Sequence, residues 1–550
     1  MNWVINKKTL IQLLVVLVLT LPVIVPYANT GYFPTHDGEW AVVRLADMYR
    51  SIRDGQFPVR FSGYLNAGYG YPLFNFAYPF PYYLGMIPLV LGLGFVGSIK
   101  LLFALSVPAA AIGMFLLAKK LWGSNLAGFI SAVLYSYFPY RFVDLFVRGS
   151  IGESLSFVLF PLILWAVVVI AEKPKSIPRI LIGGTALGIL IVTHNIMTVL
   201  FVPLLVLFIV LQFFTHNKST GKLLRSYSFM LLFGLTLSFF FWFPALYEKQ
   251  FIKLSYIPIA DRDLYFVSLP QLLRPDWGYE SPTEVGGFSY QIGIPHVMIV
   301  FLTIAVIVYS FIKKTNNKSR YLVLWLLSLF GVYIILMFDV SRIFWKYAPL
   351  FSEINYPWTI LSQIGVLIAL FGGYVVTKGK VMRYCVIGIT ILAVMLYLQY
   401  AQPSQYVDRG DDFYVTNSAT TTSSDELMPL WVREKPVSMP KYPIELFGEG
   451  EKIVNSVSAS KIVGVVTLAT EGIVRVNRIY YPGWKVYIDR IEVPIVYDNP
   501  QGVMDVVVPG GSHTITAVFT ETPYRLASNV VSLLAVLSGI VLIASKRIRI

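Results

Sequence analysis

The chain has 550 residues, of which 56% are hydrophobic and 13% are charged, and its mean hydropathy is +0.66. This composition excludes a soluble globular protein and indicates a polytopic membrane protein. The single cysteine, Cys385, excludes a disulfide framework and a thiolate metal cluster. The formal net charge is +14, but the basic residues lie in short loops between apolar runs, which indicates a topology signal and no nucleic-acid partner.

Apolar runs recur along the chain with the ~20 residues that a spanning helix needs. The first, Leu10 to Val25, follows Lys7 and Lys8 and lacks the small residues of a cleavage site, so we interpret it as an uncleaved span. Eleven further runs begin near Leu101, Leu126, Ser154, Ile180, Ile196, Tyr227, Gln291, Tyr321, Thr359, Tyr384 and Ser528. The sequence therefore predicts about twelve spans.

Clusters of Lys and Arg predict how these spans are oriented. They lie at 119–120, 173–179, 218–225, 313–320, 378–383 and 546–549. If every cluster is cytoplasmic, the spans alternate and both termini lie in the cytoplasm. The apolar segment from Pro79 to Phe95 would break this alternation if it crossed, so we predict that it lies at the outer interface or re-enters it. It then belongs to a first outer loop of residues 28–99.

The first outer loop carries a dense group of charges beside the membrane. Residues 40–54 have the spacing of an amphipathic helix that lies flat on the membrane surface. The sequence leaves two interpretations of Asp37 open: an N-cap of this helix, contributing about 1 kcal/mol, or a carboxylate that accepts a proton. His36 and Glu39 flank Asp37, and His36 is a candidate contact for a polar ligand.

The second outer loop, from Pro139 to Glu153, is the other charged cluster. Asp144 and Arg148 have the spacing of a helical ion pair, and Ser150 with Glu153 fits a capping box. Arginine forks bind phosphate oxygens in pairs, so Arg141 and Arg148 are also candidate ligands of a lipid-linked phosphate. Asp144 and Glu153 are candidate ligands of a divalent cation, Mg²⁺ or Mn²⁺.

Three further outer residues are weaker candidates. His194 interrupts an apolar stretch, where a turn between two spans is the simpler interpretation and a sugar contact the alternative. Arg274 is a candidate phosphate contact, and Trp277 offers a face on which a sugar could stack. Residues of an interfacial aromatic belt would have the same composition.

The tail changes character after residue 400. Strand patterns follow one another at 465–468, 473–479, 485–488, 491–496, 503–508 and 514–519, whereas residues 403–450 are predicted to be irregular. We therefore predict an extracytoplasmic β-sandwich-like domain over residues 401–525, after a transmembrane domain over residues 1–400. Residues 526–550 then form the last transmembrane helix and a basic cytoplasmic end.

Over most of its length the sequence resembles the GT-C superfamily of membrane glycosyltransferases. The resemblance rests on a first span, a loop with an early Asp, an amphipathic helix, and the motifs Tyr71-Pro72, Tyr82-Tyr83, Leu117-Ala118-Lys119-Lys120-Leu121-Trp122-Gly123 and Pro139-Tyr140-Arg141. More narrowly, Tyr140-Arg141, Asp144, Arg148-Gly149 and Gly152-Glu153 resemble the bacterial and archaeal membrane family labelled "6-pyruvoyl-tetrahydropterin synthase related". The tail motif Tyr480-Tyr481-Pro482-Gly483-Trp484-Lys485-Val486 resembles the YfhO-type membrane proteins.

The resemblance implies transfer of a sugar from a polyprenyl-phosphate carrier to a glycan, lipid or protein acceptor outside the cell membrane. It places the general base on Asp37, with Glu39 as the alternative, and many members carry a second acid, here Asp47 or Asp54. A one-step displacement would invert the anomeric configuration. Two other classes stay open: a polytopic transporter or flippase of lipid-linked sugars, and a noncatalytic assembly scaffold with a GT-C-like shell.

Overall fold

The computed structural model describes residues 7–215, 220–257, 259–283, 286–314 and 319–547. Most of this chain is helical, as its apolar composition predicts, and strands occur only in the tail of the described ranges. The α-helices are α1 Lys7–Ile24, α2 Gly38–Arg53, α3 Leu73–Phe76, α4 Phe80–Pro88, α5 Gly94–Trp122, α6 Asn125–Ser136, α7 Pro139–Val143, α8 Ile151–Glu172, α9 Ile177–Thr193, α10 Asn195–Thr215, α11 Thr220–Leu237, α12 Phe239–Glu248, α13 Leu269–Leu273, α14 Ile294–Ile312, α15 Ser319–Leu336, α16 Arg342–Tyr347, α17 Leu361–Val375, α18 Lys380–Tyr397, α19 Asp411–Val415 and α20 Pro523–Arg547.

Fewer than the predicted twelve helices of the described ranges have the length and composition of a full span. In the described ranges, nine helical stretches are long and apolar enough to cross a membrane, and the bent pair α11 and α12, at 67°, makes up to ten. The remaining two predicted spans correspond to α6 and α9, with 12 and 17 residues. At 1.5 Å per residue these helices reach about 18 and 25 Å, short of a ~30 Å hydrocarbon core. The prediction of a multi-pass helical membrane protein is nevertheless confirmed.

The apolar segment from Pro79 to Phe95, within the first outer loop, folds back on itself. Gly92 and Gly94 have φ values of 93° and 72°, left-handed conformations that interrupt the helix between α4 and α5. A Cβ on Gly85 of α4 would lie 3.5 Å from Leu102 Cδ1 of α5, although these residues would be about 25 Å apart in one continuous helix. A segment that reverses in this way returns α5 toward the side from which α4 began.

The tail forms two antiparallel sheets that share one buried core. The strands are β1 Ile444–Phe447, β2 Gly450–Val457, β3 Lys461–Leu468, β4 Gly472–Ile479, β5 Trp484–Ile488, β6 Ile491–Val493, β7 Val503–Val508 and β8 Gly511–Phe519. They are ordered β1-β4-β7 in one sheet and β2-β3-β8-β5-β6 in the other. Six strands agree with the predicted ones, but β1 and β2 lie in or beside the region predicted to be irregular. Both are edge strands and β2 is largely exposed, so their sequences carry little hydrophobic alternation.

A buried ion pair joins the helices to the β domain. Glu248, at the end of α12, and Arg525, in α20, are both fully buried, and Arg525 Nε lies 2.5 Å from Glu248 Oε1. The other carboxylate oxygen accepts hydrogen bonds from Asn75 of the first loop and Tyr481 of the tail, at 2.8 Å each. Because each oxygen of Glu248 has donors, this charge is compensated, and four distant parts of the chain meet at one point.

The tail also packs on the first loop. Tyr32 and Val407 exchange two backbone hydrogen bonds, with N···O distances of 3.0 and 2.7 Å. Asp411 accepts hydrogen bonds from the first backbone N–H groups of α5, at Phe95 and Val96, with distances of 2.8 and 3.0 Å. A carboxylate from 316 residues away therefore caps this helix and keeps the tail against the first loop.

Candidate functional site

The first and second loops meet through their backbones. His36 N–H donates to the Val147 carbonyl at 3.0 Å, and Asp37 N–H donates to the Arg148 carbonyl at 2.7 Å. The next residue, Gly149, has a φ of 64° and lies directly against Thr35. These contacts hold Asp37 beside the charged cluster of the second loop, a proximity that the sequence alone does not define.

Replacing Gly149 with Ala is expected to separate the two loops. The new Cβ would lie 2.1 Å from Thr35 Oγ1 and 2.8 Å from Gly38 N, so one loop must move. Gly55→Ala is the matched control, because Gly55 has a φ of 88° but open space around its Cβ position. We expect Gly149→Ala to lower the free energy of unfolding by about 2 kcal/mol more than the control, measured by thermal unfolding. If both variants lose the same free energy of unfolding, the cost comes from the positive φ alone and the contact between Gly149 and Thr35 does not contribute.

Asp37 precedes α2 but does not cap it. Gly38 N–H instead donates to Thr35 Oγ1 at 2.9 Å, so Thr35 satisfies the first free amide of the helix. The carboxylate of Asp37 forms no hydrogen bond or ion pair with the residues that the structure describes, and it is exposed. The side chain of Asp37 is therefore not the N-cap of α2, which was one of the two interpretations that the sequence left open.

The exposed face of Asp37 opens into a cavity of about 410 Å³. Its walls come from the first and second outer loops, which include α2 and α4, from the α9–α10 turn and from the tail. The fourth outer loop (residues 246–290) and the fifth outer loop (residues 340–357) also contribute lining residues. The charged and polar lining includes His36, Asp37, Arg44, Tyr78, Tyr82, Arg148, Ser150, His194, Asn195, Tyr265, Tyr356, Thr359, Ser423 and Glu426, and Trp358 adds an aromatic wall. Segments distant in sequence therefore bring two carboxylates, two arginines and two histidines into one space.

Arg148 lines this cavity, but most of its charge is already compensated. Its guanidinium forms an ion pair with the fully buried Glu153 and donates to Tyr140 Oη at 3.0 Å. It also lies over the Trp358 ring, 4.9 Å from the centroid. Arg148 therefore presents a fixed, partly neutralised positive group to the cavity.

Arg44 is the less compensated arginine. Its Nε donates to Thr421 Oγ1 at 2.9 Å, another nitrogen donates to the Thr421 carbonyl, and a third approaches Tyr82 Oη at 3.5 Å. All these acceptors are neutral, and no acidic residue of the described ranges lies within ion-pair distance. A guanidinium held this way has charge available for an anion that enters the cavity.

His194 faces the same space as a neutral group. Burial, with a contribution from the charge of Arg148, lowers its pKa to about 3. Its Nδ1 accepts a hydrogen bond from Met197 N–H at 3.3 Å, which assigns the proton to Nε2, and its ring stacks on Tyr78 with centroids 4.8 Å apart. His194 therefore offers a hydrogen-bond donor without a charge.

This buried histidine predicts a dependence of stability on pH. Because the folded-state pKa is below the unfolded value, the unfolded chain takes up a proton that the folded chain excludes as the pH falls below about 6.5. His194 should then cost about 1.4 kcal/mol of stability per pH unit down to pH 4. We expect His194→Gln to reduce the fall in thermal unfolding midpoint between pH 7 and pH 4.5. If the midpoint of His194→Gln falls as much as that of wild type, the folded His194 binds a proton as readily as the unfolded one, and the pKa argument is wrong.

Arg141 and Asp144, predicted as phosphate and cation ligands, do not line this cavity. Arg141 is 1% exposed and donates to Ser106 Oγ at 2.6 Å, with its Nη1 3.3 Å from Asp144 Oδ2. Burial raises the pKa of Asp144 to about 6, against the opposing charges of Arg141 and Arg148. The pair stabilises the packing of the second loop, because a buried guanidinium with internal partners has no face left for a phosphate.

The predicted cation ligands do not fit a metal ion. Both oxygens of Glu153 are used, one by Tyr140 Oη at 2.8 Å and one by Arg148. Asp144 has one oxygen without a partner, but the other accepts from Arg141 and Ser154. Among the described residues no group of three or more His, Cys, Asp or Glu side chains has the arrangement of a metal site. Glu153 has no oxygen without a partner and Asp144 has one, so these two carboxylates do not offer the ligand set of a cation site.

Of the remaining predicted residues, Glu39, Arg274 and Trp277 lie away from the cavity, whereas His36 lines it. The carboxylate of Glu39 forms an ion pair with Arg409, at 2.9 Å, and this pair joins the tail to α2. Glu39 is therefore not placed as an alternative base. Arg274 pairs with Asp276 at 3.0 Å, and Trp277 stacks on Tyr400 with centroids 4.2 Å apart. The positions of these side chains follow from neighbours that the sequence could not identify. His36 does line the cavity, with Nε2–H donating to the Tyr279 carbonyl at 3.3 Å.

Two acids suggested by the resemblance, Asp47 and Asp54, lie outside the cavity. Asp54 accepts from Ala459 N–H at 2.7 Å and from Tyr64, which joins α2 to the β domain. Asp47 is fully buried in α2, and burial raises its pKa to about 6. Neither residue lines the cavity, so neither is placed as a second acid of the site.

Sequence reasoning missed several cavity residues, above all Arg44 and Glu426. Arg44 lies seven residues after Asp37, two turns along the same helical face, and this spacing was a signal that could have found it. Glu426 lies in a tail segment predicted to be irregular, and nothing local distinguishes it from a solvated carboxylate. Only the return of the tail to the first loop brings it to the site.

Comparisons with known proteins give partial matches. No family model matches the chain. An uncharacterised protein of Lactococcus lactis subsp. cremoris (strain MG1363) is 21% identical over 314 residues, 56% of this chain, and the chain spans about half the length of that curated relative. The narrower resemblances to the "6-pyruvoyl-tetrahydropterin synthase related" and YfhO-type proteins remain predictions.

Solved structures give partial matches at low identity. Mycobacterial arabinofuranosyltransferase AftD is 16% identical and is matched over 73% of this chain and 27% of its own, with a TM-score of 0.45. The Archaeoglobus fulgidus oligosaccharyltransferase is 13% identical over 82% and 63%, with a TM-score of 0.44. ArnT from Cupriavidus metallidurans, solved with undecaprenyl phosphate, is 14% identical over 76% and 87%, with a TM-score of 0.35. The function proposed below therefore rests on the geometry of the cavity.

Proposed function

We propose that this chain is a membrane glycosyltransferase that moves a sugar from a polyprenyl-phosphate carrier to an acceptor outside the cell. The observation that carries the proposal is the free carboxylate of Asp37, which shares a cavity with Arg44, Arg148 and His194. A base without an internal partner, facing donors suited to a phosphate, is the arrangement that this transfer needs.

The proposed reaction is a one-step displacement. Asp37 accepts the proton of an acceptor hydroxyl while that oxygen bonds to the anomeric carbon of the sugar. The bond from that carbon to the phosphate oxygen breaks on the opposite face, so the anomeric configuration inverts and polyprenyl phosphate leaves. Arg44, Arg148 and the Nε2–H of His194 stabilise the negative charge that develops on the phosphate. Each atom in this scheme belongs to the donor, the acceptor or the described side chains.

The proposal also includes an orientation. We infer that both termini are cytoplasmic and that the cavity and the β domain face the outside, because the basic clusters of the sequence all lie inside when the short helices α6 and α9 are counted as crossings. The carrier would enter from the outer leaflet with its isoprenoid chain in the bilayer. Labelling of introduced cysteines from either side of sealed vesicles tests this orientation, with the exposed Cys385 replaced by serine first.

Transfer is tested with the purified protein in lipid nanodiscs. A set of radiolabelled undecaprenyl-phosphate sugars is incubated with cell-envelope glycans and lipids, and the label is followed from the carrier to the acceptor. The anomeric configuration of the product is read by NMR. An inverted product supports the proposal. In proteoliposomes, movement of an intact lipid-linked sugar across the bilayer without cleavage would instead support the transporter alternative.

A further inference from the structure

The tail forms one wall of the cavity through residues 420–428. Leu254 N–H donates to the Glu426 carbonyl at 2.7 Å, and Lys253 N–H donates to the Met428 carbonyl at 2.9 Å. On the other side Thr421 accepts two hydrogen bonds from Arg44. This segment therefore bridges the fourth outer loop and α2, and its Glu426 side chain faces the cavity between them.

The carboxylate of Glu426 is buried without a cation. The residue is 7% exposed, and its Oε2 accepts from Ser424 N–H at 3.1 Å and from Ser424 Oγ–H at 3.4 Å. No Lys, Arg or His of the described ranges lies within ion-pair distance, and no described donor reaches Oε1. Oε1 is accessible from the cavity, so a hydrogen-bond donor of a ligand can reach it.

The surroundings of Glu426 identify the chemistry of that ligand. Tyr265, Tyr356 and Trp358 line the same cavity with aromatic rings. Burial and Tyr265 raise the pKa of Tyr356 to about 12, with further contributions from the negative charges of Asp37 and Glu426. Tyr356 therefore lies within electrostatic reach of both carboxylates. Hydroxyl groups on a ring with apolar C–H faces match a carboxylate and aromatic side chains, whereas a second anion placed against the Glu426 carboxylate would be repelled.

We propose that Glu426 is a specificity-determining residue whose Oε1 accepts hydrogen bonds from the hydroxyl groups of a sugar. This inference rests on the proposed transfer, because it gives the transferred sugar or a glycan acceptor its place in the cavity. Arg44 and Arg148 then bind the phosphate of the ligand, and Glu426 binds hydroxyl groups of its sugar. The tail is thereby part of the site and distinguishes one sugar from another.

The experiment measures binding separately from turnover. Methyl glycosides of glucose, galactose and mannose, with their 2-deoxy and 3-deoxy analogues, are titrated into the full chain in nanodiscs while tryptophan fluorescence is followed. Wild type is compared with Glu426→Gln, Glu426→Asp and the control Glu434→Gln, whose exposed side chain lies in the same tail. We expect Glu426→Gln to weaken binding of the preferred glycoside about 10- to 100-fold, and Glu434→Gln to leave it unchanged.

The deoxy analogues locate the contact. Removal of the recognised hydroxyl should weaken binding to wild type by a similar factor and have no further effect on Glu426→Gln. In transfer assays, a raised KM for the donor with a near-constant kcat assigns the contact to the transferred sugar, and a raised KM for the acceptor assigns it to the acceptor. Both results support the inference, because a base would change kcat instead.

Three outcomes would overturn it. Equal affinities of wild type and Glu426→Gln, equal losses in Glu426→Gln and Glu434→Gln, or binding of no glycoside by wild type each remove the proposed role. The proposed transfer fails separately: glycoside binding through Glu426 without cleavage of any lipid-linked sugar would retain this sugar site and exclude the glycosyltransferase. Turnover with unchanged affinities would exclude only the role of Glu426.

Discussion

Asp37→Asn should abolish sugar transfer without unfolding the protein. General bases contribute about 10²- to 10⁴-fold to rate, and an amide cannot accept the proton of the acceptor hydroxyl. The carboxylate has no internal hydrogen bond to lose, so we expect the free energy of unfolding to change by less than about 0.5 kcal/mol. The measurement is kcat with a radiolabelled donor, alongside the midpoint of thermal unfolding.

Thr35→Ala is the matched control for Asp37. Thr35 accepts the hydrogen bond from Gly38 N–H, so its loss should lower stability by about 1 kcal/mol and leave transfer largely intact below the unfolding temperature. We therefore expect Asp37→Asn to lose kcat but keep its stability, and Thr35→Ala to lose stability but keep its kcat. If Asp37→Asn retains wild-type kcat, or if it loses stability as Thr35→Ala does, Asp37 is a structural residue and the proposed mechanism is wrong.

Arg44→Gln should give the second largest loss. Its guanidinium has only neutral acceptors in the described ranges, so an incoming phosphate would provide its first anionic partner. Removal of such a charge-assisted donor costs about 10²- to 10³-fold in kcat, and kcat/KM for the donor should fall at least as far. Binding of undecaprenyl phosphate should weaken, whereas binding of uncharged undecaprenol should not. Both affinities can be measured by native mass spectrometry.

Arg53→Gln controls for a general loss of positive charge. Arg53 lies in the same helix but is exposed, and its guanidinium is 6.0 Å from the Tyr49 centroid. We expect it to behave as wild type, and Arg44→Lys to recover part of the activity because the charge remains while the planar fork is lost. Equal weakening of phosphate and alcohol binding in Arg44→Gln would indicate that Arg44 only holds the tail through Thr421.

The two charged loops show where local reasoning succeeded and where it did not. The early Asp after the first span and the arginines of the second loop were recognisable from residue type and position. Which arginine faces the cavity was not, because Arg141 and Arg148 have the same local context. Their difference comes from partners elsewhere: Ser106 in α5 helps to bury Arg141, whereas Trp358 borders Arg148 at the cavity wall.

The tail shows the same division. The alternating residues of β3 to β8 predicted their strands, because one side of each strand packs in a core and the other does not. The edge strands β1 and β2 lack that contrast and were missed. The role of Glu426 was also unpredictable, since residues 420–428 reach the cavity through backbone contacts with the fourth outer loop and through Arg44.

The sequence by itself determined that this is a multi-pass helical membrane protein with a β domain near its C-terminus, because hydropathy and periodicity report on the surroundings of each residue one segment at a time. Only the tertiary structure decided which charges are neutralised inside the protein and which remain available to a ligand. Glu153 and Arg148 compensate each other, whereas Asp37, Arg44 and Glu426 have no described ion partner. The reason is that the free energy of a buried charge depends on its neighbours in space, and these come from segments up to several hundred residues away.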